Sequence, residues 1–412
     1  MSALLQSLAS GFEDDAGRRA ALEAVLQDGL PGPRSEAWKY TPLRALERRE
    51  FASADHAPEI DATLLEDIPA PRLVFVNGRH APALSDMAGL DAGVETGLQA
   101  SAAGGDDRYA DRDAVFARLA ASLAREGVQV KVPAGTRVEA PLHVVFVGAA
   151  QDGAELAWHL RHRIELGEGA RLALIEHHLV AGDHHHLDNA LMEIEVGANG
   201  VLEHARIQSG SDGATAFLRT QATLQESAHY RRVDLELGGA LSRHELNVQL
   251  VGDNARADAN GVLLADGRRH LDTRLGIEHI ARDTSSGLLW RGMATGRGRV
   301  VFHGGITIQA GADGTDAKLS NKNLLLAPNA EIDTQPVLVI HADEVEAAHG
   351  ATVGQLDEEA LFYLRTRGLS EREGRILLTE AFTREPLSAV EDPILREALE
   401  MQVVAKLQGV AG

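Results

Sequence analysis

The sequence has 412 residues, 44% hydrophobic and 4% aromatic, which fits a folded globular chain whose core is built from Leu, Val, Ile and Ala. A formal net charge of −21 with no offsetting Lys/Arg cluster excludes nucleic acid and anionic lipid as natural partners. The absence of cysteine excludes disulfides, a thiol nucleophile and thiolate ligation of a metal by this chain.

The N-terminal stretch lacks a basic start and runs into Glu13, Asp14 and Asp15, unlike a signal peptide. No apolar run reaches the length of a membrane span, so a cytoplasmic location is expected. Leu22, Val25 and Leu26 mark one face of a short helix, stopped by Gly29, Pro31, Gly32 and Pro33. In the following Glu36-Ala-Trp-Lys-Tyr-Thr-Pro-Leu43, Trp38 and Tyr40 are expected to anchor a turn into the body. A strand is predicted at Leu73 to Val76, and an amphipathic helix from Tyr109 to Glu126 with Val115, Leu119 and Leu123 in register, ending at Gly127.

From about Val128 the pattern turns to short strands. Ile164-Glu-Leu-Gly-Glu-Gly-Ala-Arg-Leu172 is echoed by Ile194-Glu-Val-Gly-Ala-Asn-Gly-Val-Leu202. A looser form begins at Leu166, Val196, Leu224, Val251 and Leu326, with first steps of 30, 28 and 27 residues. Repeats of this length read as one coil of a flattened β-solenoid, since a lone coil cannot bury its apolar face. An antiparallel sandwich is the alternative, and the regular repeat favours the solenoid.

The strand pattern closes near Ala342, and helices are predicted after it. Asp357 can cap a helix through Leu361, Phe362 and Leu364 to Gly368; Ser370 and Glu373 form a capping box for a second helix through Ile376, Leu377 and Leu378. Pro393 suits the first turn of a third, with Ile394, Leu395, Ala398, Leu399 and Val403 on one face. This module is expected to cap the open solenoid end. The division is then a mostly helical region over 1–126, a β-solenoid over 127–345 and a helical domain over 346–412.

Enzyme signatures are missing. No Gly-Lys dipeptide allows a Walker A loop, and there is no Gly-x-Ser-x-Gly or His-Glu-x-x-His, so a non-catalytic chain is expected. His177, His178, His184, His185 and His186 are enough imidazoles for a divalent metal, but neighbours on a strand face opposite ways, so they read as a solvated loop. His159 and His162 read as surface polar residues. Asp313 and Asp316 in a Gly-rich turn raise a β-helix carbohydrate-active enzyme as an alternative; the scarcity of aromatic sugar platforms makes them turn formers instead. A structural, self-associating solenoid is a third reading.

The densest motif run joins Ala330-Glu-Ile-Asp-Thr-Gln-Pro336, His349-Gly-Ala-Thr352, Leu361-Phe-Tyr-Leu364 and Arg367-Gly368. It extends back through Gly298-Arg-Val-Val-Phe-His-Gly304 and Ser286-Gly-Leu-Leu-Trp-Arg-Gly292 to the Glu36–Leu43 motif. This run resembles the shared core of the SufB/SufD family of iron–sulfur cluster assembly, most strongly from about residue 276 onward. The resemblance implies a mainly β fold: a right-handed parallel β-helix core flanked by N- and C-terminal helical regions. Lacking thiols, the chain resembles the side of the family that pairs with thiol-bearing SufB. The implied partners are a SufB-like paralogue, met through the β-helix ends, and a SufC ATPase on the C-terminal helices around Leu361, Phe362, Leu364, Arg365 and Arg367.

By the same resemblance His349, with Gly350, Ala351 and Thr352, lies at the SufB interface as a transient iron ligand for a nascent cluster shared with SufB. Neutral imidazole is a competent iron ligand. Many relatives carry Cys two residues before this His; here the position is Ala347, so the site leans on the partner's thiols. No tightly bound cofactor is expected of the chain. Whether a flavin, associated with the complex in this family, contacts it is open, as is a homodimer of the isolated chain.

Overall fold

The computed structural model describes residues 2–12, 16–32, 34–99, 111–151 and 153–410. Pro33 and the predicted helix start at Tyr109 lie outside them. The chain winds as a parallel β-solenoid whose successive half-coils build two facing sheets. The first sheet stacks Glu126–Val132, Leu156–Leu166, His186–Val196, Ala214–Leu224, Leu241–Leu250, His270–His279, Arg299–Ile308 and Glu331–Ile340. The second stacks Arg72–Val76, Leu142–Ala149, Arg171–Ala181, Val201–Gln208, His229–Glu236, Arg256–Ala265, Ser285–Ala294, Asp316–Leu325 and Glu346–Gly354. The strand expected at Leu73–Val76 is thus part of the stack.

The repeat read from sequence is the ladder register itself. Leu166, Val196, Leu224 and Leu250 stand in one column, continued by His279, Ile308 and Ile340. Val251 is one residue past this column, and Leu326 follows a strand of the other sheet. The pattern faded at His279 because a polar side chain fills an apolar slot there; it is fully buried and bonded to Thr284 and Ser286.

The corner after this column explains the turn residues. Gly169, Asn199, Ser227, Asn254, Asp283 and Gly314 all have positive φ, between 54° and 77°. Each donates its backbone N–H to a carbonyl of the next coil: Ala198, Glu226, Asp253, Arg282, Asp313 and Glu344 respectively. Left-handed backbone favours Gly, Asn and Asp, which are the types found at all but Ser227.

Helices clothe the outer sheet faces. α1 (Ala3–Ala9), α2 (Ala16–Asp28) and α3 (Val115–Leu123) pack with Trp38 and Phe51 on Ala157, Leu187 and Phe217 of the first sheet. The stop at Gly29 agrees with the sequence (φ 75°), but α3 ends at Leu123 and Gly127 lies inside a strand. Trp38 lies under the Arg243 guanidinium, 3.8 Å from the ring centroid, and its Nε1 donates to Asp113 O. α4 (Glu358–Thr366), α5 (Glu371–Leu387) and α6 (Pro393–Val410) form as expected, with Asp357 capping α4 and the Ser370–Glu373 box present.

Their placement differs from expectation. Leu387, Leu399, Val403 and Leu407 pack sideways on Ile207, Leu235, Val262 and Met293, the outer face of the second sheet. Ile394 is 79% exposed, so it is not on the packed face. A parallel sheet needs both faces covered, and the outer Ile207–Leu235–Val262 column claims the helices, leaving the solenoid end open. The strands also continue beyond Ala342, through Glu346–Gly354.

Coil-to-coil spacing leaves no room at Gly252, where an added Cβ would lie 1.9 Å from the Glu226 backbone nitrogen; none of the heavy atoms around Gly354 comes within 4 Å. Gly252→Ala should therefore cost about 1–3 kcal/mol in urea unfolding, and Gly354→Ala less than about 0.5 kcal/mol.

Candidate functional site

The site is built at the open end. Along Asp316–Leu325 the odd positions Ala317, Leu319, Asn321 and Asn323 are buried in the solenoid interior. Their ladder partners on the last strand are Ala347, His349, Ala351 and Val353. His349 thus ends an interior column running through Leu174, His204, Arg232, Ala259, Leu288 and Leu319. No further coil covers it, so an inward-row imidazole stands exposed, with Gly350 and Thr352 exposed beside it and Ala351 half-buried. Gly350 has open space around it. Val339, Ile340 and Val353 leave apolar surface exposed at the same end.

The end is closed beneath by a polar layer and then an aromatic one. Asn321 Oδ1 accepts from Asn323 Nδ2 at 2.6 Å and from Thr334 Oγ1 at 2.7 Å, and Asn323 also donates to Thr352 O at 3.0 Å. Below, Trp290 and Phe302 pack with ring centroids 5.6 Å apart, and Trp290 Nε1 donates to Ala259 O. The interior beneath the last coil is therefore filled by these two layers.

The other histidines are placed differently from their sequence readings. His177 is inside a strand, its Nε2 3.0 Å from His143 Nδ1, and His186 stacks on Trp158. Of the cluster, only His184 and His185 lie in the turn between strands. His162 is buried, accepting from Val128 N at Nδ1, and His159 lies 2.8 Å from Asn189 beneath α3. The reading of His162 as a surface residue is corrected, since it lies on the buried inward row, and His159 on the outward row is half-buried under α3. Among the described residues no group of three or more His, Asp or Glu is arranged to hold a metal ion. Asp313 accepts from Arg282 and Asp316 pairs with Lys318, so neither is arranged as a free acid/base pair.

Sequence reasoning missed a buried ionic cluster in the solenoid interior. Glu176, Arg206 and Asp234 share one column, with His204, Arg232, Glu236 and His244 around them. Arg206 pairs with Asp234 at 3.0 Å and with Glu236; Arg232 pairs with Asp234 at 2.9 Å; His204 Nε2 meets Glu176 at 2.7 Å. Burial opposes the charge on His178, but the Asp188 and Glu176 carboxylates outweigh it and raise its pKa. The signal was there: Glu176, Arg206 and Asp234 recur at the repeat spacing with alternating sign.

On α4, Leu361 is buried against Gly374, Leu364 is half-buried, and Phe362 and Tyr363 are 68% and 55% exposed. Arg367 donates to Tyr363 Oη at 3.0 Å, and Arg365 lies 3.8 Å from Glu371. Leu377, Ile394 and Met401 add exposed apolar surface on α5 and α6. This is a second face that the chain leaves unpartnered.

Residues 146–382 match the family model described as SUF system FeS cluster assembly, SufBD core domain. The chain belongs to the SufBD family. It is 34% identical to the iron–sulfur cluster assembly protein SufD of Escherichia coli over 96% of this chain and 94% of that one. SufBD family proteins of Synechocystis and Mycobacterium tuberculosis are 28% and 29% identical, over 93% and 98% of this chain and 90% and 96% of theirs. In this SufBD chain His349 of the His-Gly-Ala-Thr run sits on the terminal strand, Glu346–Gly354. No described helix is long and apolar enough to cross a membrane.

The buried histidines make stability pH-dependent. Burial lowers His159, His162 and His186 to about 4, and His279 likewise. A depressed pKa means the unfolded chain takes up protons first, so stability is lost as pH falls from about 6.5 toward 4. The urea midpoint should drop across that window, and His279→Gln should flatten the slope.

Proposed function

We propose that this SufBD chain is a thiol-free, non-catalytic scaffold subunit in the cytoplasm. It docks end to end with a thiol-bearing SufB-type paralogue through the open solenoid end and carries a SufC-type ATPase on α4 to α6. The observation that supports this reading most directly is His349: an exposed imidazole on the inward row of the terminal strand, whose outer edge is unpaired. An unpaired strand edge with apolar residues is a template for another chain's strand. A partner seated there would face His349 with its own interior row. The imidazole would then supply one nitrogen lone pair to iron, and the partner's thiolates the remaining soft ligands. The nascent cluster is cargo of such a site. Ala347 offers no ligand of its own.

The second docking reading rests on Phe362 and Tyr363, two large aromatic side chains held outward by a helix whose Leu361 is anchored. Aromatic residues of this kind are the usual energetic centres of interfaces. ATP hydrolysis in the docked ATPase would power assembly, since this chain has no phosphate loop.

His349→Ala should leave the fold and co-purification with the two partners unchanged, and sharply lower iron and acid-labile sulfide in the purified complex. Dissociation of the complex would make His349 structural; unchanged cluster content in an intact complex would exclude it as a ligand. Phe362→Ala with Tyr363→Ala should weaken ATPase binding tenfold or more, roughly 1.4 kcal/mol, without changing the thermal midpoint. Undiminished binding would remove α4 from the docking face.

A further inference from the structure

A cavity of roughly 670 Å³ lies between the outer face of the second sheet and the turn that joins α5 to α6. That volume is in the range of small-ligand sites. One outward column, Glu203, Arg231, Asp258, Gly287, Lys318 and Ala348, runs beneath it. The neighbouring column adds Val233, Asn260 and Leu289 to the floor. Ala389, Val390 and Leu395 form the roof, and the last two pack against the cluster that contains Val233. Gly287 leaves a notch in the floor, where an added Cβ would lie 2.8 Å from Asp258 Oδ1.

Asn260 is out of place in this floor. It is 6% exposed between two apolar neighbours, yet among the described residues its amide has no hydrogen-bond partner. A polar group buried and left unpaired is costly, so its presence in a cavity floor points to a ligand. A carboxamide offers a donor and an acceptor side by side, the pattern that pairs with the N6/N7 edge of adenine.

The charges around the cavity differ in availability. The lining carboxylates are engaged: Glu203 and Glu391 by Arg231 at 3.0 and 2.6 Å, Asp258 by His229 at 2.7 Å, and Glu385 by Arg291. Lys318 and Arg256 stand at the rim with side chains 65% and 56% exposed. Their own carboxylate partners are Asp316, which is not part of the lining, and Asp258, which His229 also holds. An anion can thus reach both cations without breaking a buried ion pair. Lys318 is two strands and one two-residue step from Asn260, a Cα separation of roughly 12 Å, which a nucleoside monophosphate spans. The net charge of −21 repels a polyanionic strand, but a single phosphate between two cations is a local match.

We propose that this cavity binds an adenine nucleotide. The base lies between Val233 and Leu289 below and Val390 and Leu395 above, its N6/N7 edge on Asn260, with the phosphate at Lys318 and Arg256. It is a binding site only; no bond is made or broken in it. Through Ala348 the bound nucleotide would touch the strand that carries His349, and through the roof the turn between α5 and α6. The inference does not depend on either docking reading above.

The test titrates the full chain alone with AMP by isothermal titration calorimetry, with folding read by thermal midpoint. AMP should bind at one site with Kd below about 0.5 mM. Adenosine, which lacks the phosphate, and GMP, whose O6/N7 edge presents two acceptors, should each bind at least about fivefold more weakly. Asn260→Leu, close in size, should weaken AMP about tenfold or more with an unchanged midpoint. Arg256→Gln with Lys318→Gln should weaken AMP but not adenosine, and the loss should shrink at high salt. Failure of the parent chain to bind AMP in this range overturns the inference. So does AMP binding that neither variant weakens, because the nucleotide then sits elsewhere. GMP binding as tightly as AMP overturns the reading of the base by Asn260. Should Asn260→Leu lower the midpoint, the rim double variant decides alone: a loss confined to AMP supports the site, and an equal loss of adenosine overturns it.

Discussion

One residue per coil must adopt a left-handed backbone so that its amide reaches a carbonyl of the next coil. Gly169, Asn199, Ser227, Asn254, Asp283 and Gly314 meet that condition in succession. With this corner set, each coil lands in register on the last and the inward rows of both sheets become continuous columns. Every later feature follows from that registration: the apolar interior, the buried ion pairs, and the direction in which the final strand holds His349. A solenoid stabilised by nearest neighbours has no intrinsic stop, so its last coil exposes edge and interior row together.

The two helical regions solve a different problem. Parallel sheets need both faces covered, and each region takes one outer face: α1 to α3 with Trp38 on the first sheet, α5 and α6 on the second. Because the helices are spent on the flanks, no described element covers the end. α4 is anchored on α5 by Leu361 against Gly374, while Phe362 and Tyr363 face solvent. The exposed surfaces of this SufBD chain are thus by-products of where its apolar columns lie.

The interior carries charge at a depth where an unpaired group would be costly. Arg206 and Arg232 converge on Asp234, and Glu176 meets His204 and His178, so the charges are mutually compensated. The Trp290–Phe302 pair and the Asn321–Asn323–Thr334 layer separate this cluster from the open end. Compensation of this kind fixes register, because a one-residue slip would turn every buried charge to the wrong face.

Much was legible in the sequence. The column Leu166, Val196, Leu224 was read correctly because the apolar residue and the turn types after it recur together, and the caps at Asp357, Ser370 and Glu373 were read from local hydrogen-bonding chemistry. The histidines were not: His162, His177 and His186 look like solvated polar residues, because polarity alone does not say whether a residue's neighbour lies thirty positions away in the next coil. The same reason hid the charge ladder and lost the repeat at His279. Local pattern and family motif, properties of short stretches of chain, by themselves determined the repeat length, the helix caps, the absence of thiols and the placement of His349 in a His-Gly-Ala-Thr run. Only the tertiary structure decided that the C-terminal helices lie on a sheet face, that the outer edge of the last strand stays unpaired and that His349 is uncovered. Those outcomes depend on which apolar columns compete for the same helices, and that competition exists only once the coils have stacked.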